Sequence, residues 1–301
     1  MASAEAPGEE KVTDATSTGG QPAHRSNLLL TLPTHLWRHV LTFYGYKDHT
    51  LAGRACQYLK RLWREALHNH RIAGTLFVPG HCNTLKEAVE RVHGDNRLTT
   101  IVVGKGEHRI NGDFLKIRSA MNIVGDPGVP KSEIVVVGGI FFKQGIPGNC
   151  HLQHLTLRKA KVTGVNGSSS FTMEDVLAEQ CAYAGVGAYG YSVVGRCINV
   201  EVRQCGQSGV LAGNGASVTL IGAKTTVHHN CTKGERATFG LYVYGTKSST
   251  IQLVSPLTKE QVSMDNGGGG NWGAGNGGEV KHIKTIAETD NLEFRKSTNT
   301  C

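Results

Sequence analysis

Long apolar runs, paired cysteines and prolines are scarce or missing in this sequence. No stretch of about 18 apolar residues occurs, so we expect no membrane-spanning helix and no membrane partner. None of the eight cysteines lies in a C-x-x-C pair or near histidines at zinc-finger spacing, which argues against a structural zinc site. Because 39 glycines accompany only 8 prolines and no G-x-y triplet recurs, collagen is excluded and the glycines indicate tight corners in a β architecture.

Secretion and nucleic-acid binding are also disfavoured. The N-terminal sequence lacks the basic and apolar regions of a secretory signal, so we expect an intracellular protein, cytoplasmic or nuclear, with reduced cysteines. The formal net charge is +8, but no Lys/Arg run or aromatic-plus-basic motif accompanies it. We therefore expect no nucleic-acid partner, and no cofactor either.

A short helical module is predicted over residues 27–72. Apolar residues recur there at helical spacing in two stripes, and Pro33 suits a first helical turn. So short a segment cannot easily bury a core alone. It packs either on its own chain or on a partner's surface.

The two stripes, "LPTHLWRHVLTFY" and "LAGRACQYLKRLW", resemble an F-box. The sequence departs from the family at His35, where an acidic residue is usual, and at Leu59, where a tryptophan is usual. The resemblance implies binding to the Skp1 adaptor of a cullin–RING ubiquitin ligase. The positions that carry over are Leu32, Pro33, Leu36, Val40, Leu41, Leu51, Cys56 and Leu59. The alternative is that these side chains form an intramolecular core.

The chain repeats itself from residue 150 onward. One recurring element is a glycine followed by an aliphatic residue, with steps of 21, 24 and 31 residues: Gly164-Val165, Gly185-Val186, Gly209-Val210 and Gly240-Leu241. Two further strand-like elements shift together with it. Three short strands per unit predict one coil of a right-handed parallel β-helix, and the longest step predicts an inserted loop at "CTKGERATF".

Equivalent residues of stacked coils should form ladders about 4.8 Å apart. Cys181, Cys205 and Cys231 are predicted to form such a ladder as apolar filler, preceded by a second ladder of Gln180, Gln204 and Asn230. Ahead of the repeats, "NTLKEAVERVH" predicts a capping helix, with Thr84 and Glu87 as its capping box and an apolar stripe of Leu85, Ala88, Val89 and Val92.

The repeats and the segment "IVVGKGEHRI…LKIRSAMNIVGD" resemble the pectin lyase-like β-helix, in particular its CASH-type repeats. The expected fold is mainly β, a right-handed parallel β-helix preceded by a small helical F-box-like module. Five segments are predicted: a disordered tail (1–26), the F-box-like module (27–72), a linking strand and capping helix (73–96), the β-helix (97–287) and a flexible tail (288–301).

Many proteins of this fold cleave acidic polysaccharides, so a lyase, hydrolase or epimerase is an alternative function. Hydrolysis of a glycosidic bond needs two facing carboxylates. The repeats contain acids but no Asp-Asp pair and none of the family's Gly-His-Gly, Asn-Thr-Asp or Arg-Ile-Lys segments. Glu179 is predicted to lie beside Arg203, His229 and Asp265 as a surface charge pair. We therefore predict no catalytic residues.

Aromatic and histidine side chains cluster in the repeats and are candidates for a ligand-binding surface. They are Tyr189, Tyr191, Tyr242, Tyr244, His228 and His229. Such residues recognise a protein segment or a glycan, or are ordinary strand residues. The histidines lack a third ligand, so no metal is expected. The glycine-rich segment 265–279 is predicted to be a flexible loop.

The combination predicts a substrate-recognition adaptor of an SCF-type ubiquitin ligase. Its expected partners are a Skp1-like adaptor with its cullin, and an unknown protein or glycan held by the β-helix. We expect a monomer within that complex. A β-helix scaffold without a ligase link is a further alternative.

Overall fold

The structure, a computed structural model, describes residues 74–288. The predicted tail 1–26 and the F-box-like module 27–72 lie outside the described residues, and so do all eight predicted Skp1-binding positions. Among the described residues, no helix is both long and apolar enough to cross a membrane.

The described chain is a parallel β-solenoid, as the repeats predict. One wall is a nine-stranded sheet, here called sheet A, in which each strand pairs in parallel with the next coil. Its strands are β1 (Thr75–Val78), β2 (Thr100–Val103), β4 (Asn122–Gly125), β6 (Cys150–Gln153), β9 (Phe171–Glu174), β12 (Val194–Ile198), β15 (Ser217–Ile221), β18 (Thr250–Val254) and β21 (Ile283–Ile286).

The other two walls share two long strands, β3 (Gly106–Ile117) and β5 (Ile134–Phe142), which run across both. Sheet B continues with β7 (Thr156–Arg158), β10 (Leu177–Glu179), β13 (Glu201–Arg203), β16 (Thr226–His228) and β19 (Ser263–Met264). Sheet C continues with β8 (Val165–Gly167), β11 (Val186–Tyr189), β14 (Val210–Gly213), β17 (Leu241–Tyr244) and β20 (Trp272–Gly275). From β2 onward each coil thus contributes to all three sheets, whereas the first coil has helix α1 between β1 and β2. Strand β20 corrects the prediction of a loop over 265–279.

Inward-facing residues stack in register and form one continuous core. On sheet A the central row is Ile101, Ile123, Leu152, Met173, Cys197, Leu220 and Leu253, all fully buried. No single coil encloses these side chains, so the core exists only because coils stack. Each such burial contributes roughly 1.5–3 kcal/mol.

Glycines at the entry to sheet C allow sheets B and C to meet closely. Gly164, Gly185, Gly209 and Gly240 directly precede the paired residues Val165, Val186, Val210 and Leu241. A Cβ on Gly209 would lie 2.8 Å from the carbonyl oxygen of Gly240 and would also collide with Val227. The repeated glycine is therefore required by close approach of neighbouring atoms.

Most corners after sheet B use one non-glycine residue in the left-handed region. Equivalent positions are Lys159, Gln180, Gln204, His229 and Asp265, with φ between 51° and 56°. Polar side chains tolerate this conformation best. Gln180 and Gln204, which were predicted to form a ladder, are two of these corner residues.

Two short helices accompany the strands. Helix α1 (Leu85–Gly94) follows β1, and Thr84 caps it by accepting a hydrogen bond from the Glu87 N–H at 3.1 Å. The predicted buried stripe of Leu85, Ala88, Val89 and Val92 is confirmed. Helix α2 (Lys259–Val262) precedes β19. An ion pair of 2.6 Å between Glu90 and Arg118 ties α1 to the end of β3.

The predicted cysteine ladder is only partly correct. Cys181 and Cys205 lie at equivalent positions, two residues beyond the paired Glu179 and Arg203, and their thiols interact. Arg203 pairs with His228, so the next equivalent position is Asn230 rather than Cys231. The step between these coils is 25 residues, whereas the cysteine spacing had implied 26. Correspondingly, Gln180 donates to Gln204 at 3.4 Å, but their next equivalent is His229.

Candidate ligand-binding face

The outward face of sheet C brings three of the four predicted tyrosines together. Its side chains form two parallel rows along the axis of the solenoid. The first row is Asn166, Gly187, Leu211, Tyr242 and Gly273. The second row is Tyr189, Gly213, Tyr244 and Gly275. The residues that alternate with them point inward: they are buried in β8, β11, β14 and β17, and in β20 Trp272 and Ala274 pack partly buried against the core, so these rows are the outer surface of the sheet.

The tyrosine rings lie over glycines. A Cβ on Gly213 would be 3.0 Å from Cδ1 of Tyr244 and 3.1 Å from Cδ1 of Tyr189, so the two rings approach each other above this glycine. A Cβ on Gly187 would be 2.7 Å from the Tyr189 ring. The missing side chains therefore let the rings lie against the sheet rather than stand away from it.

Two further aromatic contacts extend this surface. The Tyr242 ring lies 6.1 Å from the Tyr244 ring, centroid to centroid, and its hydroxyl covers Gly275. The Phe239 ring lies 5.4 Å from Tyr242 and covers Gly273. We call the set Tyr189, Leu211, Phe239, Tyr242 and Tyr244 the aromatic face. All five side chains are partly exposed to solvent.

The aromatic face is neutral. Burial, and then the neighbouring Tyr244, raise the pKa of Tyr189 and of Tyr242 above the ordinary value for tyrosine. These phenols therefore stay protonated near neutral pH and offer hydroxyl groups that both donate and accept hydrogen bonds. No charged side chain lies in either row between β8 and β20. This face can stack on and hydrogen-bond an uncharged ligand.

Tyr191 lies beside this face but outside its rows. It follows the corner residue Gly190, is 71% exposed, and its ring lies against Gly215. It is thus the most exposed of the predicted tyrosines and has no equivalent in the two rows.

The predicted histidines lie on a different wall. His228 belongs to sheet B, where it pairs with Arg203, and His229 is the following corner residue. Their Nδ1 atoms are 2.7 Å apart, and Nε2 of His228 lies 3.3 Å from Glu201. The structure therefore does not join the histidines and the tyrosines into one site.

The outward row of sheet B is a chain of ion pairs. Glu179, whose side chain is 4% exposed, accepts hydrogen bonds from Arg158 at 2.6 Å and from Arg203 at 2.8 and 3.0 Å. Burial alone would raise the pKa of Glu179, but these hydrogen bonds hold it below its usual value. The predicted charge pairing with Arg203 is confirmed. The row continues with His228 and Met264 rather than with His229 and Asp265, because the register differs by one residue.

A second ionic cluster lies at the corner between sheets A and B. His154 donates to Asp175 at 2.6 Å and to the carbonyl oxygen of Val129 at 2.9 Å, while Lys131 donates to Asp175 at 2.8 Å. Both partners of the imidazole only accept, so both contacts are satisfied when His154 is protonated on both nitrogens. The hydrogen bond with Asp175 raises the pKa of His154. Burial alone would raise the pKa of Asp175, yet its two donors lower it to about 2.

A shallow groove of about 590 Å³ lies at the end of the first row that is formed by Asn166 on β8. It runs between α1 and the irregular part of β3, and Phe141 and Asn166 form part of its floor. Its rim carries both signs of charge, from Lys86, Glu90 and Asp113. The groove differs in this respect from the neutral aromatic face.

Sequence reasoning missed part of the aromatic face. Leu211, Phe239 and the four glycines beneath the rings were not singled out. The available signal was the register: Tyr189, Gly213, Tyr244 and Gly275 are separated by 24, 31 and 31 residues, the steps that the coils themselves take.

No family model, no curated protein and no solved structure matches this chain.

Proposed function

We propose that this protein is a substrate-recognition adaptor of an SCF-type ubiquitin ligase. In this proposal the module 27–72 binds a Skp1-like adaptor inside the cell, and the solenoid holds the substrate on its aromatic face. The F-box resemblance supports the first part. The second rests on one observation, the neutral surface of Tyr189, Tyr242 and Tyr244 lying over glycines. We further propose that the coil is right-handed, since about 98% of parallel crossovers within one sheet are.

The state of the acidic side chains favours binding over catalysis. A glycosidase needs one carboxyl that gives up and regains a proton near neutral pH. Glu179 is instead held ionised between two arginines, and Asp175 between His154 and Lys131. Both carboxylates already use their oxygens in hydrogen bonds within the protein. A polysaccharide-active enzyme is therefore the weaker alternative.

The adaptor proposal is tested by co-purification of the full-length protein with Skp1 and cullin. We expect the wild-type chain to retain both proteins and Leu36→Asp to lose them, because a charge would enter the apolar stripe. Tyr191→Ala, far from the module in sequence and exposed on the solenoid, should retain them. Failure of the intact wild-type chain to bind any Skp1 homologue would contradict the proposal.

The same preparations separate the alternatives. Turnover of polygalacturonate or alginate that disappears in Glu201→Gln would favour the enzyme. A stably folded protein with neither Skp1 binding nor turnover would favour the scaffold.

A further inference from the structure

Two cysteines, Cys181 and Cys205, lie one above the other at the corner between sheets B and C. Each follows the last residue of a sheet B strand by two positions. Those last residues, Glu179 and Arg203, are directly paired. The parallel pairing continues through the corner, where the Gly206 N–H donates to the Cys181 carbonyl at 2.8 Å. Equivalent residues of neighbouring coils lie about 4.8 Å apart, which is within the range of about 4.4–6.8 Å that a disulfide requires between its Cα atoms.

The two side chains point in the same direction and their thiols are in contact. A Cβ on Gly164 would lie 2.9 Å from Sγ of Cys181, and a Cβ on Gly185 would lie 3.2 Å from Sγ of Cys205. Each sulfur thus faces one glycine of the row that opens sheet C. The two thiols also share a hydrogen bond. The sulfurs can therefore be joined by rotation of the side chains, without moving the strands.

We propose that Cys181 and Cys205 form a reversible disulfide when the protein meets hydrogen peroxide. In the first step the Cys181 thiol gives up its proton and the thiolate attacks one peroxide oxygen. The O–O bond breaks, water leaves, and Cys181 becomes a sulfenic acid. In the second step the sulfur of Cys205 attacks the sulfenic sulfur, loses its proton and displaces the hydroxyl group as water. The two thiols together lose two electrons and two protons, and the peroxide is reduced to water.

The surroundings of the two thiols assign the order of these steps. The hydrogen bond with Cys205 lowers the pKa of Cys181, although burial opposes this. The same contact, together with burial, raises the pKa of Cys205. Because the thiolate is the reactive form of a cysteine, Cys181 is the side chain that peroxide oxidises first. Cys205 is then the thiol that converts the sulfenic acid to the disulfide.

Both cysteines are buried, but they lie directly beneath the surface. Cys181 is 1% and Cys205 0% exposed. The corner residues that precede them, Gln180 and Gln204, are exposed. A local opening of this corner is enough to admit a small uncharged oxidant, and the rest of the core can stay closed.

Cys197 and Cys150 are matched controls within the same chain. Cys197 is fully buried, but its neighbours on the adjacent strands are Met173 and Leu220. Burial raises its pKa to about 12. Cys150 pairs with Phe171, and burial raises its pKa to about 11. Neither has a second cysteine at these paired positions, so both should stay reduced under conditions that oxidise the proposed pair.

Peptide mapping of the wild-type protein tests the pair. The folded, full-length protein is treated with hydrogen peroxide, the remaining thiols are blocked during unfolding, and a tryptic digest is analysed by mass spectrometry without reduction. Trypsin separates the relevant cysteines, which fall in peptides 162–196 (Cys181), 197–203 (Cys197), 204–224 (Cys205) and 225–233 (Cys231). We expect 162–196 linked to 204–224, a link that dithiothreitol removes, with the other two peptides blocked and unlinked. Absence of this link, or an equally abundant link between 204–224 and 225–233, would overturn the inference.

Single variants test the order of the two steps. Cys205→Ser keeps a hydrogen-bonding group beside Cys181 but cannot form the disulfide, so peroxide should leave a sulfenic acid that dimedone labels. Cys181→Ser is the matched variant, and its Cys205 should take up about tenfold less dimedone. Equal labelling, or stronger labelling of Cys205, would refute the assigned order. The mapping of the wild-type protein does not depend on either variant.

The bond would join the two coils that begin the aromatic face. Cys181 leads into β11, which carries Tyr189, and Cys205 leads into β14, which carries Gly213. A cross-link restricts the unfolded chain, so the linked protein should have a Tm several degrees higher than the reduced protein. An equal or lower Tm would refute this stabilising role. These measurements use no ligase component and no ligand, so the inference stands or falls independently of the proposed function.

Discussion

Arg203 donates two hydrogen bonds to one carboxylate oxygen of Glu179, from Nη2 at 2.8 Å and from Nε at 3.0 Å. The two residues are directly paired on neighbouring strands of sheet B. Arg158, on the preceding coil, holds the other oxygen. Glu179 thus links three consecutive coils through one side chain.

Glu179→Gln should lower the free energy of unfolding by about 1–3 kcal/mol, because the uncharged amide keeps only one acceptor oxygen and so leaves one of the two arginines facing an NH₂ donor in a partly buried row. The lower end is expected, since both arginines are about one third exposed. Urea denaturation of the full-length protein, followed by circular dichroism, measures the change. Glu201→Gln is the matched control: Glu201 is more exposed, and its loss should cost less. Equal losses would show that the position of Glu179 between coils is unimportant.

The cluster of His154 and Asp175 should lose stabilising free energy both when the pH falls and when it rises. The pKa of Asp175 is lowered to about 2, so its contribution is present above the ordinary aspartate pKa and is lost as the pH falls toward 2. The pKa of His154 is raised, so its contribution is present below about 6.5 and is lost as the pH rises through the folded-state value. The cluster should therefore stabilise the fold most near pH 5.

His154→Asn tests this pH dependence, because asparagine tolerates the left-handed conformation of residue 154 (φ 54°). The difference in Tm between wild type and variant should be largest near pH 5 and should shrink above pH 6.5. His229→Asn is the control: residue 229 has the same φ, but its imidazole contacts His228 rather than a carboxylate. A difference for His154→Asn that stays constant from pH 5 to 9 would contradict the assigned ion pair.

Gly209→Ala should destabilise the protein by about 1–3 kcal/mol or more, because the new methyl group would meet the Gly240 carbonyl and Val227. The carbonyl belongs to the next coil's backbone and cannot move without disturbing β17. Gly94→Ala, at the end of α1 where a Cβ meets nothing within 4 Å, should leave stability unchanged or raise it slightly. Thermal unfolding of both variants measures the contrast, and a stable Gly209→Ala protein would refute the close-packing explanation.

Asn230→Ala should cost about 1–3 kcal/mol or more, since Asn230 is 1% exposed and bridges several backbone groups. Its side chain accepts from the Cys205 N–H at 3.1 Å and donates to the Val202 carbonyl at 3.0 Å. The variant would leave both groups buried without this partner. Gln204→Ala, which removes one exposed hydrogen bond of 3.4 Å, should change the unfolding midpoint little. Similar midpoints for the two variants would argue against a structural role for Asn230.

The repeats predicted the fold well because they record a periodic physical requirement. Gly164, Gly185, Gly209 and Gly240 recur since every coil needs the same clearance between sheets B and C. Gln180 and Gln204 recur since these coils turn there through the left-handed region. The parallel solenoid, its three strands per coil and the inserted loop all follow from these two patterns.

Register was harder to predict, because a shift of one residue leaves the composition of a ladder almost unchanged. Cys231 is buried like Cys181 and Cys205, so an apolar residue type could not distinguish it from a member of their ladder. The position equivalent to Cys181 and Cys205 is nevertheless occupied by Asn230. The same shift placed His229 instead of His228 beside Arg203. The aromatic face was only partly predicted for a related reason: the clustering of tyrosines in the sequence does not show which of them share a side of one sheet.

The loop between β16 and β17 supplies Phe239 to the aromatic face, although it lies outside the repeating pattern. Both strands that flank it keep their parallel pairing with the coil before them. A solenoid of this kind can therefore acquire a new side-chain contact by lengthening one turn, while the strand pairing of the neighbouring coils stays the same. Specificity and architecture can evolve at different speeds in such a molecule.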